Sequence, residues 1–156
     1  MKRNTLIVCL FALLVGGCSY KGLVLYNWEG DQRVWPHFVD QVMVLAFWSP
    51  ASIHSIEDMP ALNALTHREG PVHLMSICSS PDRARAVKWM RKEKVVYEVV
   101  FDPDGALARK LSVSSFPTYI LFDRLGEERE RSTTIRNVFK WFDKERFHEE
   151  VSANYN

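Results

Sequence analysis

Cysteine is scarce in this sequence, which holds three in 156 residues, at positions 9, 18 and 78. So few and so scattered, they make neither a disulfide scaffold nor a Cys-rich zinc site. Glycine and proline number seven each, which excludes collagen-like fibres and Pro/Gly-rich low-complexity chains. Neither sign of charge dominates: 20 Lys+Arg stand against 19 Asp+Glu, for a formal net charge of +1. Binding of nucleic acid, which rests on clustered phosphate neutralisation, therefore has no compositional support. No apolar run is long enough to cross a hydrocarbon core of roughly 30 Å. What is present is a chain 47% hydrophobic and 25% charged, the balance of one ordinary globular domain.

Lys2 and Arg3 precede an apolar run from Leu6 to Val15, the length of a signal h-region. The run leads into Leu14-Val15-Gly16-Gly17-Cys18. This resembles the bacterial lipobox, in which small residues before a cysteine let a signal peptidase cut and leave that cysteine as a lipid-modified N-terminus. The resemblance implies a lipoprotein signal peptide over residues 1–17, a lipidated tether over 18–22 and a folded domain over 23–152. Cys18 is then the lipidation site, and a membrane is the first partner. Ser19 in the next position, rather than Asp, implies the periplasmic face of the outer membrane if the bacterium has two membranes. A plain secretory signal cut nearby, or a short uncleaved anchor with an incidental Cys18 thiol, are the alternatives. Removal of residues 1–17 takes Cys9, Lys2 and Arg3 with it and turns the formal charge from +1 to −1. With Cys18 blocked by lipid, Cys78 is the single thiol, so no internal disulfide can form even in an oxidising compartment. A tether of about five residues reaches at most roughly 20 Å, which keeps the domain close to its membrane.

No repeat or long linker interrupts residues 23–150, and a single domain is expected. Leu23–Tyr26 and Arg33–Trp35 read as short edge strands around a turn at Gly30-Asp31. Val42–Trp48 is a continuous apolar run of the kind buried on both faces of a sheet. From Ser55, the spacing of Ile56, Met59, Leu62 and Leu65 predicts a helix with Glu57 and Asp58 in its first turn. Val72–Ile77 is a second buried strand. After it, Ser80-Pro81-Asp82 predicts a helix capped by Ser80 and carrying Ala84, Val87 and Met90 inward. Val95–Phe101 is a third strand, closed by the turn signal Asp102-Pro103-Asp104-Gly105 and followed by a short helix from Ala106 to Leu111. Thr118–Phe122 is a fourth, followed by a turn around Gly126 and a polar strand. Asp143 is expected to cap a terminal helix with Phe147 and Val151 on one face. Strands alternating with helices, then a closing hairpin and helix, predict an α/β sandwich with a mixed sheet.

The segment Phe47-Trp48-Ser49-Pro50-Ala51-Ser52-Ile53-His54-Ser55-Ile56-Glu57-Asp58-Met59-Pro60 is similar to the strand-to-helix passage of the thioredoxin-like proteins, and within them of the membrane-tethered thiol-disulfide and redoxin group. In that family a Phe-Trp strand end leads into Cys-x-x-Cys and an acidic, Met-Pro-containing helix. Asp102-Pro103-Asp104-Gly105, Ser115-Phe116-Pro117-Thr118 and Leu121-Phe122-Asp123 resemble the family's second half. The resemblance implies a three-layer sandwich, a mixed central sheet flanked by helices, over roughly residues 23–150.

The departure is at the chemistry. Where the family has two cysteines, this chain has Ser52 and Ser55. Disulfide exchange needs a thiolate attacking a sulfur, and a serine hydroxyl supplies neither an accessible anion nor a redox couple. No catalytic residue or cofactor is therefore expected at this corner. A serine hydrolase is not supported either: Ser52, His54 and Ser55 diverge at a helix start, no Gly-x-Ser-x-Gly elbow exists, and a capping serine accounts for the pattern. His37, His67, His73 and His148 show no ligand spacing with His54, so no metal is expected. Phe116-Pro117 resembles the family's cis-proline loop, which binds extended peptides. The implied groove has Trp48, His54, Phe116 and Pro117 as walls, and its partner is an envelope protein or extended peptide; a structural proline beside a buried Phe is the alternative. Cys78 reads two ways, as a lone reactive thiol serving a single-thiol redoxin or as a small buried filler. Arg83, Arg85, Lys88, Arg91, Lys92 and Lys94 make the second helix basic, either as a solvated face or as a surface for anionic headgroups. Trp89, Phe139, Trp141 and Phe142 suit a core or a partner patch equally. The expected role is thus a redox-inactive binding or scaffolding module of the cell envelope, with the one-thiol oxidoreductase as the competing class.

Overall fold

The computed structural model describes residues 24–27, 29–34, 42–67 and 72–154. The expected signal over 1–17, Cys18, the expected tether, Trp35 and His37 lie outside the described residues, as do the side chains of Phe147, His148 and Val151. Seven strands form one mixed sheet: β1 (Val24–Asn27), β2 (Gln32–Val34), β3 (Val42–Trp48), β4 (Val72–Cys78), β5 (Glu98–Phe101), β6 (Thr118–Phe122) and β7 (Glu128–Ser132). Their order is β2-β1-β5-β4-β3-β6-β7. The three central strands β5, β4 and β3 run parallel, while β1, β2, β6 and β7 pair antiparallel. Among the described residues there are five helices: α1 (Ile53–Glu57), α2 (Met59–Leu65), α3 (Arg83–Lys92), α4 (Ala106–Lys110) and α5 (Ile135–Asn154).

The apolar runs at β3 and β6 are continuous because both faces of the sheet are covered. Val44, Ala46 and Trp48 point one way, into a cluster with Ile56, Met59, Leu62, Leu65, Ala86, Met90 and Val138 from α1, α2, α3 and α5. Met43, Leu45 and Phe47 point the other way, against Leu107 and Ala108 of α4 and the following Leu111. This period-two alternation makes the three layers, helices on sheet on helix. The α/β sandwich expected from the sequence is the observed fold.

Several boundaries differ, each for a local reason. The second helix starts at Arg83, not at Pro81, because the Asp82 side chain accepts from Arg85 N at 2.9 Å and caps it. Ser80 instead accepts from Asp82 N in the preceding turn. Ala84 is exposed, and Ala86 takes the inward position. The third strand is short: Val95 N donates to Met90 O and Val96 N to Asn63 Oδ1, so these two residues finish a helix exit rather than begin a ladder. The helix after β3 starts at Ile53 and breaks at Asp58 into α1 and α2, leaving Glu57 at the end of the first turn pair. Asp143 does not start the terminal helix. It lies mid-way along α5, whose start at Ile135 follows Ser132, and the Ser132 Oγ accepts from Thr134 N and Asn137 Nδ2.

Candidate functional site

The parallel strands β3, β4 and β5 deliver three chain ends to one edge of the sheet, and β6 begins there. Trp48 ends β3 directly beside Cys78 ending β4, and Ser79 N donates to Trp48 O at 3.0 Å. The chain then turns through Ser49-Pro50-Ala51 to Ser52, which caps α1. Its hydroxyl accepts from Ser55 N at 3.3 Å and donates to the carbonyl of Phe116 at 2.9 Å. The Phe116–Pro117 peptide bond is cis, and this loop closes over the corner. Ser55, buried, accepts from Ser49 N at 3.4 Å, and the Ser49 hydroxyl accepts from Ala51 N at 3.3 Å. The serine hydroxyls of this corner thus tie the turn to itself and to the cis-proline loop.

The neighbouring thiol is closed off. Cys78 has 0% of its surface exposed. Burial, reinforced by the negative charges of Asp102 and Asp82, pushes its pKa up to about 12, so at neutral pH it is a thiol and not a thiolate. Asp102 is held by Leu107 N at 3.0 Å, Ala108 N at 2.9 Å and the Ser79 hydroxyl at 3.2 Å, which fastens α4 to the end of β5. Beneath the corner, Tyr119 donates to Asp58 Oδ2 at 2.6 Å. Burial first, and that hydrogen bond second, raise the Tyr119 pKa, so the phenol stays protonated.

Of the four residues expected to wall a peptide groove, the structure brings two to the surface. His54 is open, its side chain 79% exposed and its Nδ1 3.1 Å from Glu57 Oε2. Phe116 is half-buried and rests on the α4-side core. Trp48, however, is 2% exposed, because the last residue of β3 faces the layer of α1 and α2. Pro117 is buried as well. These two support the corner from below and cannot line it. Sequence reasoning missed Ile53, which at 60% exposure stands beside His54 as a large apolar side chain offered at the corner. Its signal was an isoleucine just after a capping serine, three residues before Ile56 and in the first, open turn of α1.

A second concavity flanks the other side of the 115–118 loop, an open cleft of about 380 Å³ lined by Ser112, Ser114, Ser115, Thr118, Arg131 and Thr133 among others. Arg131 is already engaged there, with Glu128 at 2.7 Å and the Leu111 carbonyl at 2.9 Å. Among the described residues, no group of three His, Cys, Asp or Glu is placed to hold a metal, and no helix is long and apolar enough to cross a membrane.

No family model and no curated protein matches this sequence. Solved structures do resemble the fold. A secreted disulfide oxidoreductase of Mycobacterium tuberculosis, homologous to E. coli DsbE, superimposes with a TM-score of 0.66 at 16% identity, over 72% of this chain and 83% of that one. A Chlorobium tepidum protein assigned as the thiol:disulfide interchange protein DsbE gives 0.66 at 21% identity, over 84% and 91% of the two chains. StoA from Bacillus subtilis gives 0.63 at 19% identity, over 77% and 95%. The fold is thioredoxin-like, shared with thiol-disulfide oxidoreductases.

Proposed function

We propose that this chain is a cell-envelope protein, anchored by lipid at Cys18, whose thioredoxin-like domain has lost its redox pair and binds an extended peptide or an envelope protein. The observation that carries this reading is the corner itself. Both hydroxyls at the positions that resemble the family's cysteines are engaged in hydrogen bonds that hold the loop shut. The contact face offered to a partner is Ile53, His54 and the exposed part of Phe116. The Phe116 carbonyl, already bonded to Ser52, keeps one lone pair as an acceptor for a partner's N–H. A bacterial envelope address rests on the lipobox resemblance, and one structural neighbour, the Mycobacterium tuberculosis disulfide oxidoreductase, is a secreted protein.

The competing reading is a one-thiol oxidoreductase using Cys78 with a partner's thiol. It is favoured by the position of Cys78, at the same sheet edge as Ser52, and opposed by its burial and raised pKa. Reduction of insulin disulfides by dithiothreitol separates the two. The wild-type chain is expected to add nothing to the uncatalysed rate, whereas Ser52→Cys/Ser55→Cys is expected to form an internal disulfide and accelerate the reaction. A wild-type acceleration that disappears in Cys78→Ala would overturn the binding-module reading. On an array of extended peptides, Ile53→Asp should lower retention by roughly tenfold or more, as for an apolar anchor at an interface.

A further inference from the structure

The outer face of α3 is a cationic surface that nothing above uses. Between Asp82 and Lys94 the sequence places six cations, Arg83, Arg85, Lys88, Arg91, Lys92 and Lys94, against two carboxylates, Asp82 and Glu93. All six cations are exposed. The helix turns Ala86 and Met90 into the core, so Arg85, Lys88, Arg91 and Lys92 share the opposite side. No acid shares it. Asp82 caps the helix through Arg85 N, and half-buried Glu93 reaches only Lys92, at 3.8 Å. The Lys92 ammonium also sits 4.4 Å from the Trp89 ring centroid, which gives the face an aromatic flank. In a chain of net charge +1, this concentration is a local field and not a reflection of composition.

Where the chain enters the domain fixes what lies near this face. Tyr26 of β1 pairs with Phe101 of β5, and the Arg83 guanidinium lies 4.9 Å from the Phe101 ring centroid. Val24, where the described chain starts, therefore lies at the α3 N-terminal end of the molecule. A tether of roughly 20 Å at most brings that end within reach of any surface that holds Cys18.

We propose that the α3 face of Arg85, Lys88, Arg91 and Lys92 docks on the anionic phospholipid headgroups of the membrane that carries the anchor. This rests on the tethered reading above. The lipid chain holds the domain at the surface, and the basic helix fixes which side faces it, a pairing of anchor and polybasic patch that holds better than either alone. The Ser52 corner, off the outer face of α3, lies at the same end of the sheet as Val24, because β3, β4 and β5 all end there.

The test uses the full chain in vesicles of phosphatidylcholine alone or with added phosphatidylglycerol. Flotation and the mass of the Cys18 peptide report the anchor, and amine acylation read by mass spectrometry reports the face. Lys88 and Lys92 are expected to label about fivefold or more slowly on phosphatidylglycerol vesicles. Lys110, on the opposite helix layer, should label alike on both. High salt, or Arg85→Glu/Arg91→Glu, should restore labelling of Lys88 and Lys92. Flotation on both vesicles with equal labelling overturns the α3 proposal and leaves the anchor standing. Flotation on phosphatidylglycerol vesicles alone, with both lysines protected, would remove the anchor and keep the basic face. A chain that floats on neither contradicts both. Protection by an acidic envelope protein, but by neither vesicle, would overturn the lipid assignment in favour of a protein partner.

Discussion

Ser52 makes two hydrogen bonds with one hydroxyl, and both matter to the corner: one caps α1, the other holds the cis-proline loop. Ser52→Ala should therefore destabilise the domain by about 1–2 kcal/mol, measured by denaturant unfolding. Ser76 is the opposite case. It is wholly buried in β4, and its Oγ has no hydrogen-bond partner, so Ser76→Ala removes an unsatisfied group at nearly constant shape. The same measurement should find that variant neutral or more stable by up to about 1 kcal/mol. A Ser76→Ala variant less stable than wild type would show that the hydroxyl has a partner. For Cys78, the thiol's burial predicts that alkylation at pH 8 is slow in the native chain and becomes fast only in denaturant. Alanine is the cleaner replacement there, since serine would bury a hydroxyl in an apolar cluster.

At the scale of elements, the β6–β7 turn carries the clearest pH dependence. Burial alone would raise the Asp123 pKa, but N–H bonds from Glu127 and Leu125 and the Arg129 guanidinium outweigh it and hold the carboxyl below its usual range. A depressed folded pKa gives stability that is present above the unfolded value, about 3.9, and is lost as pH falls through the folded value. Asp123→Asn should lower stability at neutral pH and flatten the acid limb of the unfolding curve; an unchanged acid limb would count against this assignment. Adjacent β7 is an edge strand, and its alternating Glu and Arg residues together with a bulge at its pairing with β6 blunt strand addition by other chains. Elements were legible in the sequence where the hydrophobic period was strong, as in β3, β4, β6 and α2. They were missed where a polar side chain decided the boundary. Asp82 outcompeted Ser80 for the cap of α3, and the apolar spacing of Ile135, Val138, Phe139 and Phe142 was passed over when the terminal helix was started at Asp143.

For the molecule as a whole, order and spacing of the segments carried the fold, because a doubly covered sheet imposes long apolar runs that survive replacement of the active residues. The site was legible only in part. The sequence placed Ser52, Ser55 and His54 at the corner, but the facing of Trp48 and Cys78 depends on the strand's parity against the helix layer, which spacing alone did not settle. With both of those side chains inside, the surface at the corner is set by Ile53, His54 and Phe116, and the thiol chemistry of the fold has no exposed atom among the described residues. The measurement that tests this most directly is the redox state of Cys78 in intact cells: acid quench, alkylation of thiols and non-reducing separation, with Cys78→Ala alongside. The account predicts a fully reduced thiol with no mixed disulfide in either strain. A Cys78-dependent disulfide to another protein would contradict it and return the chain to the oxidoreductases.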